Sequence, residues 1–348
     1  MNAITQMDIA KAMGVSRSTV SKALSDSHEI GSETKTKIMN YALQNNFKPN
    51  RIAKSLKFGT SNTIGVIFCS FNNTFISQIL DGVHKAAAQT GHDIIIMQSY
   101  ENIENEKACL EALVARGVDG ILIAPVSEVS NIDLMLDIHT NTCPIILFDR
   151  ISSDLPVPKI GVQEIKGAFE ATKHLFSINR KKILFLTGDK FSERHPRLRG
   201  YKNAFQKFDV PFNEEYIVKC DLGDFDAMDA KIASTLIELK NLNKMPDAIL
   251  GATDTLTIRV LGVLANLKIE VPGQIAVIGF CNTDNASSLN PSLSTIRQPA
   301  TEIGVLALQK LSEILNSRHV GHIVQETILL DTAIQLRNST ALEKSPAF

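Results

Sequence analysis

Residues 5–24 read TQMDIAKAMGVSRSTVSKAL, and the architecture of the N-terminal part follows from them. Thr5-Gln6-Met7-Asp8 has the Thr-x-x-acid spacing of a capping box, which predicts a helix starting near Gln6. Ile9, Ala10 and Met13 share one face of it, and Gly14 can adopt the left-handed conformation that ends a helix. Ser16 can cap a second helix, whose Val20 and Leu24 turn toward the first. Two helices across the tight Gly14-Val15-Ser16 turn make a helix-turn-helix. Ser32 is expected to cap a third helix, with Ile38, Tyr41 and Ala42 inward and Glu33 paired with Lys37 outside. A unit of about 45 residues buries only a marginal core.

With Val20 and Leu24 committed to that core, Arg17, Ser18, Ser21 and Lys22 are left on the exposed face. Arg and Lys can donate to guanine O6 and N7 in a major groove, and Ser adapts to either partner. Hydroxyls at Ser16, Thr19 and Ser21 suit phosphate oxygens near a helix N-terminus. Charge points the same way. Residues 1–60 carry a net +5 while the remainder carries −6, so the head alone is suited to a polyanion.

The sequence divides into a head (1–46), a hinge (47–62), a body (63–340) and a tail (341–348). In the hinge, Pro49 stops the third helix and Asn50 can cap the short stretch Arg51–Leu56, too short to be helical in water by itself. In the body, short apolar runs alternate with helical stretches. The runs are Ile64–Phe68, Ile94–Met97, Ile121–Ala124 and Ile145–Phe148, then Ile183–Leu186, Tyr216–Val218, Ala248–Leu250 and Ile275–Ile278. Spacings near 30 residues are those of βαβ units, and continuous apolar runs predict parallel strands buried on both faces. The fold class is therefore α/β, a helix-turn-helix head followed by two doubly wound lobes, with ligand expected in the cleft between them.

Several function classes drop out. The composition is 44% hydrophobic and 21% charged, as in ordinary globular chains. No window approaches 18 uninterrupted apolar residues, and the charged first 30 residues hold no secretory core, so a cytoplasmic protein away from membranes is expected. Five scattered cysteines without CxxC spacing predict buried thiols. Gly188-Asp189-Lys190 lacks the spacing of a phosphate loop, and no GxGxxG or GxSxG occurs. His319 and His322 have no glutamate between them. Neither an enzyme nor a metal or organic cofactor is expected.

The sequence resembles the lac-repressor (LacI/GalR) family of bacterial transcription regulators over roughly residues 4–340. The resemblance rests on Asp8-Ile9-Ala10, Gly14-Val15-Ser16, Thr19-Val20-Ser21 and the hinge Pro49-Asn50, Ala53 and Ser55-Leu56. In the body it rests on Asp149-Arg150, Arg197-Leu198-Arg199-Gly200-Tyr201, Pro246-Asp247-Ala248-Ile249, Val271-Pro272, Gly279-Phe280 and Arg337-Asn338-Ser339. It implies a periplasmic-binding-protein-like body and a homodimer on palindromic operator DNA, controlled by a small sugar-like effector. It also implies hinge helices that fold on DNA, Leu56 being the wedge in the minor groove with Ala53 beside it. Thr5, Asn50 and Lys54 complete the implied DNA contacts. The implied effector contacts are Asn73, Phe75, Asp149, Arg197, Phe225, Thr253, Asp254, Cys281 and Gln298.

Departures fall in the cleft. The family's Asn-Asp reads Thr253-Asp254, its Gly-Phe-Asp-Asp reads Gly279-Phe280-Cys281-Asn282, and its Asp-Asn after the fifth strand reads Gln163-Glu164. A thiol at Cys281 removes an anionic acceptor. The ligand is thus open between another sugar, a phosphorylated one and a non-sugar. Two lobes with a cleft would also suit a solute-binding transport protein, but such a protein has no use for a basic helical head.

Overall fold

The computed structural model describes residues 4–47, 60–71, 73–151, 154–193, 195–317 and 325–341. They form two compact units divided between Ser61 and Asn62. In the first unit α1 (Gln6–Met13), α2 (Arg17–Leu24) and α3 (Ser32–Gln44) enclose a small core. Ile9, Val20 and Ile38 are wholly buried there with Ala10, Ala23 and Ala42, and Met13, Leu24 and Tyr41 close its edges. Both arms of the capping box form, Asp8 N–H to Thr5 Oγ1 at 3.3 Å and Thr5 N–H to the Asp8 carboxylate at 2.9 Å. Gly14 ends α1 at φ 66°. The cap of α3 differs from expectation: Gly31 stands at the N-cap and gives no side-chain bond, while Ser32 is the first helical residue. Lys37 and Glu33 pair at 2.8 Å.

The second unit contains two six-stranded sheets. The first is ordered β11 (Thr327–Leu330), β5 (Lys159–Val162), β4 (Ile145–Phe148), β3 (Gly120–Ile123), β1 (Thr63–Phe68) and β2 (Asp93–Gln98), all parallel. The second is ordered β12 (Ala333–Gln335), β10 (Ser294–Arg297), β9 (Ala276–Phe280), β8 (Ala248–Gly251), β6 (Ile183–Gly188) and β7 (Ile217–Cys220). Only β12 runs antiparallel to its neighbour. The eight apolar runs coincide with β1 to β4 and β6 to β9 to within two residues. One of them sits differently from the reading: β2 is an edge strand, half-buried, with Ile96 37% exposed.

Helices cover both faces of each sheet, as parallel strands require. In the first lobe α4 (Thr74–Thr90) and α11 (Ala300–Asn316) pack on one face, α5 (Ile103–Ala115) and α6 (Ile132–Asn141) on the other. In the second lobe α7 (Glu164–Ser177) and α8 (Pro196–Lys207) lie opposite α9 (Phe225–Asn241) and α10 (Asp254–Asn266). The closest helix pairs meet at glycines. A Cβ on Gly82 of α4 would strike the Thr301 carbonyl of α11, one on Gly304 of α11 would strike that of Ile79, and one on Gly200 of α8 would strike that of Ile165 of α7. The chain passes between lobes three times, after β5, after β10 and between β11 and β12.

Candidate functional site

In the head, Thr5 and Ser16 spend their hydroxyls on helix caps, Ser16 accepting from Thr19 N–H at 3.1 Å. Its Oγ also lies 2.7 Å from that of Ser18 and 2.9 Å from Thr19 Oγ1, which ties three of the named hydroxyls into one cluster at the start of α2. Arg17 and Ser18 are exposed, Thr19 and Ser21 half-buried. Arg17 makes no hydrogen bond or ion pair among the described residues, so its guanidinium is available. Lys22 is exposed but ion-paired with Glu29, an arrangement that sequence spacing did not reveal. Asn50, Ala53, Lys54 and Leu56 lie outside the described residues.

In the body, the carboxyl ends of both sheets face a cavity of about 790 Å³. That is the size range of small-molecule sites. Asn73, Phe75, Asp149, Arg197, Phe225, Thr253, Asp254 and Gln298 all line it. Local sequence places them: Asn73 and Thr253 are the N-caps of α4 and α10, bonded to Ile76 N–H at 2.9 Å and Leu256 N–H at 3.3 Å. Pro196 starts α8 and sets Arg197 in its first turn. Asp149 follows β4 directly, in the left-handed region at φ 63° that Asp tolerates.

Cys281 is the exception among the named residues. It is wholly buried in the second lobe's core, outside the cavity lining. Its thiol instead bonds Asp254, and burial followed by that charge pushes it up to about 12. Asp254 also accepts from Asn282 N–H at 2.7 Å. Asn282 continues the network: its amide donates to the Gln298 carbonyl and to Gln78 Oε1 of α4, each at 2.8 Å, and its Oδ1 accepts from Gln298 N–H at 2.9 Å. A buried asparagine therefore links the two lobes beneath the cleft.

Each lobe contributes one guanidinium. Arg197 donates from Nε to Glu164 at 2.6 Å, from Nη1 to the Ala252 carbonyl and from Nη2 to Gln298 at 3.2 Å, 4.2 Å above the Phe280 ring. Arg150 holds Glu101 through both nitrogens, at 2.6 and 2.7 Å, and donates to the Val126 carbonyl at 2.8 Å. The Val126 N–H is bonded at 2.5 Å to Glu106, wholly buried, which also accepts from Asn131 at 2.8 Å. Across the cleft, Phe191 stacks on His195 with centroids 4.2 Å apart and lies 5.8 Å from Arg150. Burial, then the charges of Arg197 and Arg150, push His195 down to about 3, so its ring is neutral and its Nδ1 accepts from Arg197 N–H. Burial raises Asp149 to about 6 against the opposing pull of both arginines.

Arg150, Glu101, Glu164, Phe191 and His195 were not singled out as site residues from the sequence. The partners of both arginines lie 24 to 101 residues away along the chain. The signals able to mark the neighbourhood of His195 are the Arg197 motif and Pro196, which favours a helix start. Among the described residues no group of His, Cys, Asp and Glu is arranged to hold a metal, and no helix is long and apolar enough to cross a membrane.

Comparison with known proteins covers both units. Residues 5–50 match the model for bacterial regulatory proteins of the lacI family, and residues 172–340 match that for a periplasmic binding protein-like domain. A ribose operon repressor of Haemophilus influenzae is 28% identical over 96% of this chain and 98% of its own. A transcriptional repressor PurR of Vibrio vulnificus is 28% identical over 94% and 98%, and the repressor CytR of Escherichia coli is 26% identical over 97% and 96%. Among solved structures, the lac repressor dimer bound to operator and an anti-inducer superposes with a TM-score of 0.85 at 23% identity, over 98% of this chain and all of that one. At that identity the likeness establishes the fold. The chain thus carries a lacI-family helix-turn-helix domain followed by a periplasmic binding protein-like domain, and proteins named as transcriptional repressors align with it nearly end to end.

Proposed function

We propose that this protein is a sequence-specific transcriptional repressor whose operator affinity is set by a small, sugar-like molecule held in the interlobe cleft. One observation carries the reading: a lacI-type helix-turn-helix with an unengaged arginine at the start of its second helix precedes a body with a cavity lined by charged groups of both signs. A transport-protein reading gives that head no role.

Arg17 reads a base edge, while the Ser16–Ser18–Thr19 cluster positions α2 on phosphate. Lys22 reaches the DNA by exchanging Glu29 for an acceptor there. The protein acts as a homodimer on a palindrome, and residues 50–57 fold against DNA with Leu56 as the wedge. Ligand shifts the operator equilibrium only through its differential affinity for the two lobe arrangements, so the coupling is reciprocal. Genomic DNA captured by the purified protein will be enriched in palindromic sites. Arg17→Ala will cost about 1–3 kcal/mol on such a site and relax one position per half-site. An equal loss on random DNA would remove Arg17 from base reading.

A further inference from the structure

We infer that the cleft takes a donor-rich ligand without negative charge, and that it prefers an aminated polyol to the neutral or phosphorylated form of the same skeleton. This rests on the cleft being the effector site. The inference comes from which charges around the cavity are already matched.

Both guanidiniums are occupied by the protein. Arg150 is held bidentately by Glu101 and Arg197 by Glu164, and each also binds a main-chain carbonyl. An incoming phosphate or carboxylate would have to break one of these partly buried pairs and leave a carboxylate behind without its partner, which is costly. His195 stacks on Phe191 and uses Nδ1 as an acceptor, so it offers no cation. Lys190 is a lining cation without a partner among the described residues, and it is exposed.

The carboxylates are in the opposite situation. Asp149 lines the cavity between the two arginine pairs, and its side chain takes no hydrogen bond from any described residue. Glu128 and Asp189, also in the lining, take none either, but like Lys190 they are exposed and meet water. Of the three, half-buried Asp149 is the one that a bound ligand would cut off from water; ionised, it accepts and cannot donate, so the ligand must supply the donors. Hydroxyls supply donors, an ammonium supplies three with a compensating charge, and a phosphate supplies repulsion.

The test is a thermal-shift panel on the full-length protein, with neutral sugars and nucleosides, their amino derivatives and their phosphates, each at millimolar concentration. Aminated members will give the largest shifts, phosphorylated ones none. Titration calorimetry will place the best amine about tenfold below its neutral parent in Kd, the worth of one charge-assisted bond. Asp149→Asn will abolish that preference, bringing the amine and its neutral parent to the same Kd. A phosphorylated compound giving the largest shift overturns the inference, as does a panel in which no aminated compound binds. Operator affinity measured with each hit separates the two readings. A hit that obeys the charge rule but leaves operator binding unchanged keeps the inference and removes the effector role.

Discussion

Asp149 carries a cost in the ligand-free protein that the cavity does not relieve. Burial raises its carboxyl to about 6 from an ordinary 3.8, so between those values the folded state holds more protons than the unfolded one. Stability contributed by this group therefore falls as pH rises through that window and stays low above it. Asp149→Asn, which suits the same left-handed backbone, will stabilise the free protein at pH 7.5 by on the order of 1–3 kcal/mol. The gain will shrink to nothing as pH falls toward that of an ordinary carboxyl. Urea unfolding at both ends of the window checks this, and a gain independent of pH would show that packing, not charge, sets the cost. Residues of this kind were only partly legible. Asp149 and Arg197 could be named from motifs, whereas Arg150 acquires its role from Glu101 and Val126, which only the fold brings to it. The resemblance implies a ligand contact for Cys281 from its turn position, but the fold buries it beneath the cavity lining. Its thiol points down onto Asp254, and Asp254 is the residue that reaches the cavity.

Elements were readable where burial made them uniformly apolar. The strands that escaped the pattern are short or mixed: Lys159-Ile160-Gly161-Val162, Ser294-Thr295-Ile296-Arg297 and the three residues of β12. β11 carries alternate half-exposed positions at the sheet edge. The pairing of α4 with α11 was equally invisible, because more than 200 residues separate Gly82 from Gly304. Two facing glycines let these helices approach until backbone meets side-chain space, so neither tolerates a methyl group without the helices moving apart. Gly82→Ala will destabilise the body by about 1–3 kcal/mol, the usual cost of overpacking, even though Ala favours a helix. Denaturant midpoints measured on the body will report it. A neutral or stabilising result would mean that the pair does not constrain the first lobe.

The whole molecule combines a head with a marginal core and a body with two cores in each lobe. The body alone, residues 62–348, will keep the ligand affinity of the intact chain and lose DNA binding, as calorimetry and a mobility-shift assay will show. A loss of ligand affinity on removing the head would place part of the binding site outside the cleft. The threefold passage of the chain between lobes bears on how the molecule is made. During synthesis the first lobe can assemble β1 to β5, yet its sheet lacks α11 and β11 until the second lobe has been translated almost to its end. The second lobe in turn lacks β12, which follows β11 by two residues. Neither half can finish ahead of the other, and until Thr327–Gln335 emerge from the ribosome the edges of β5 and β10 stand open, which makes the nascent chain a natural client for chaperones.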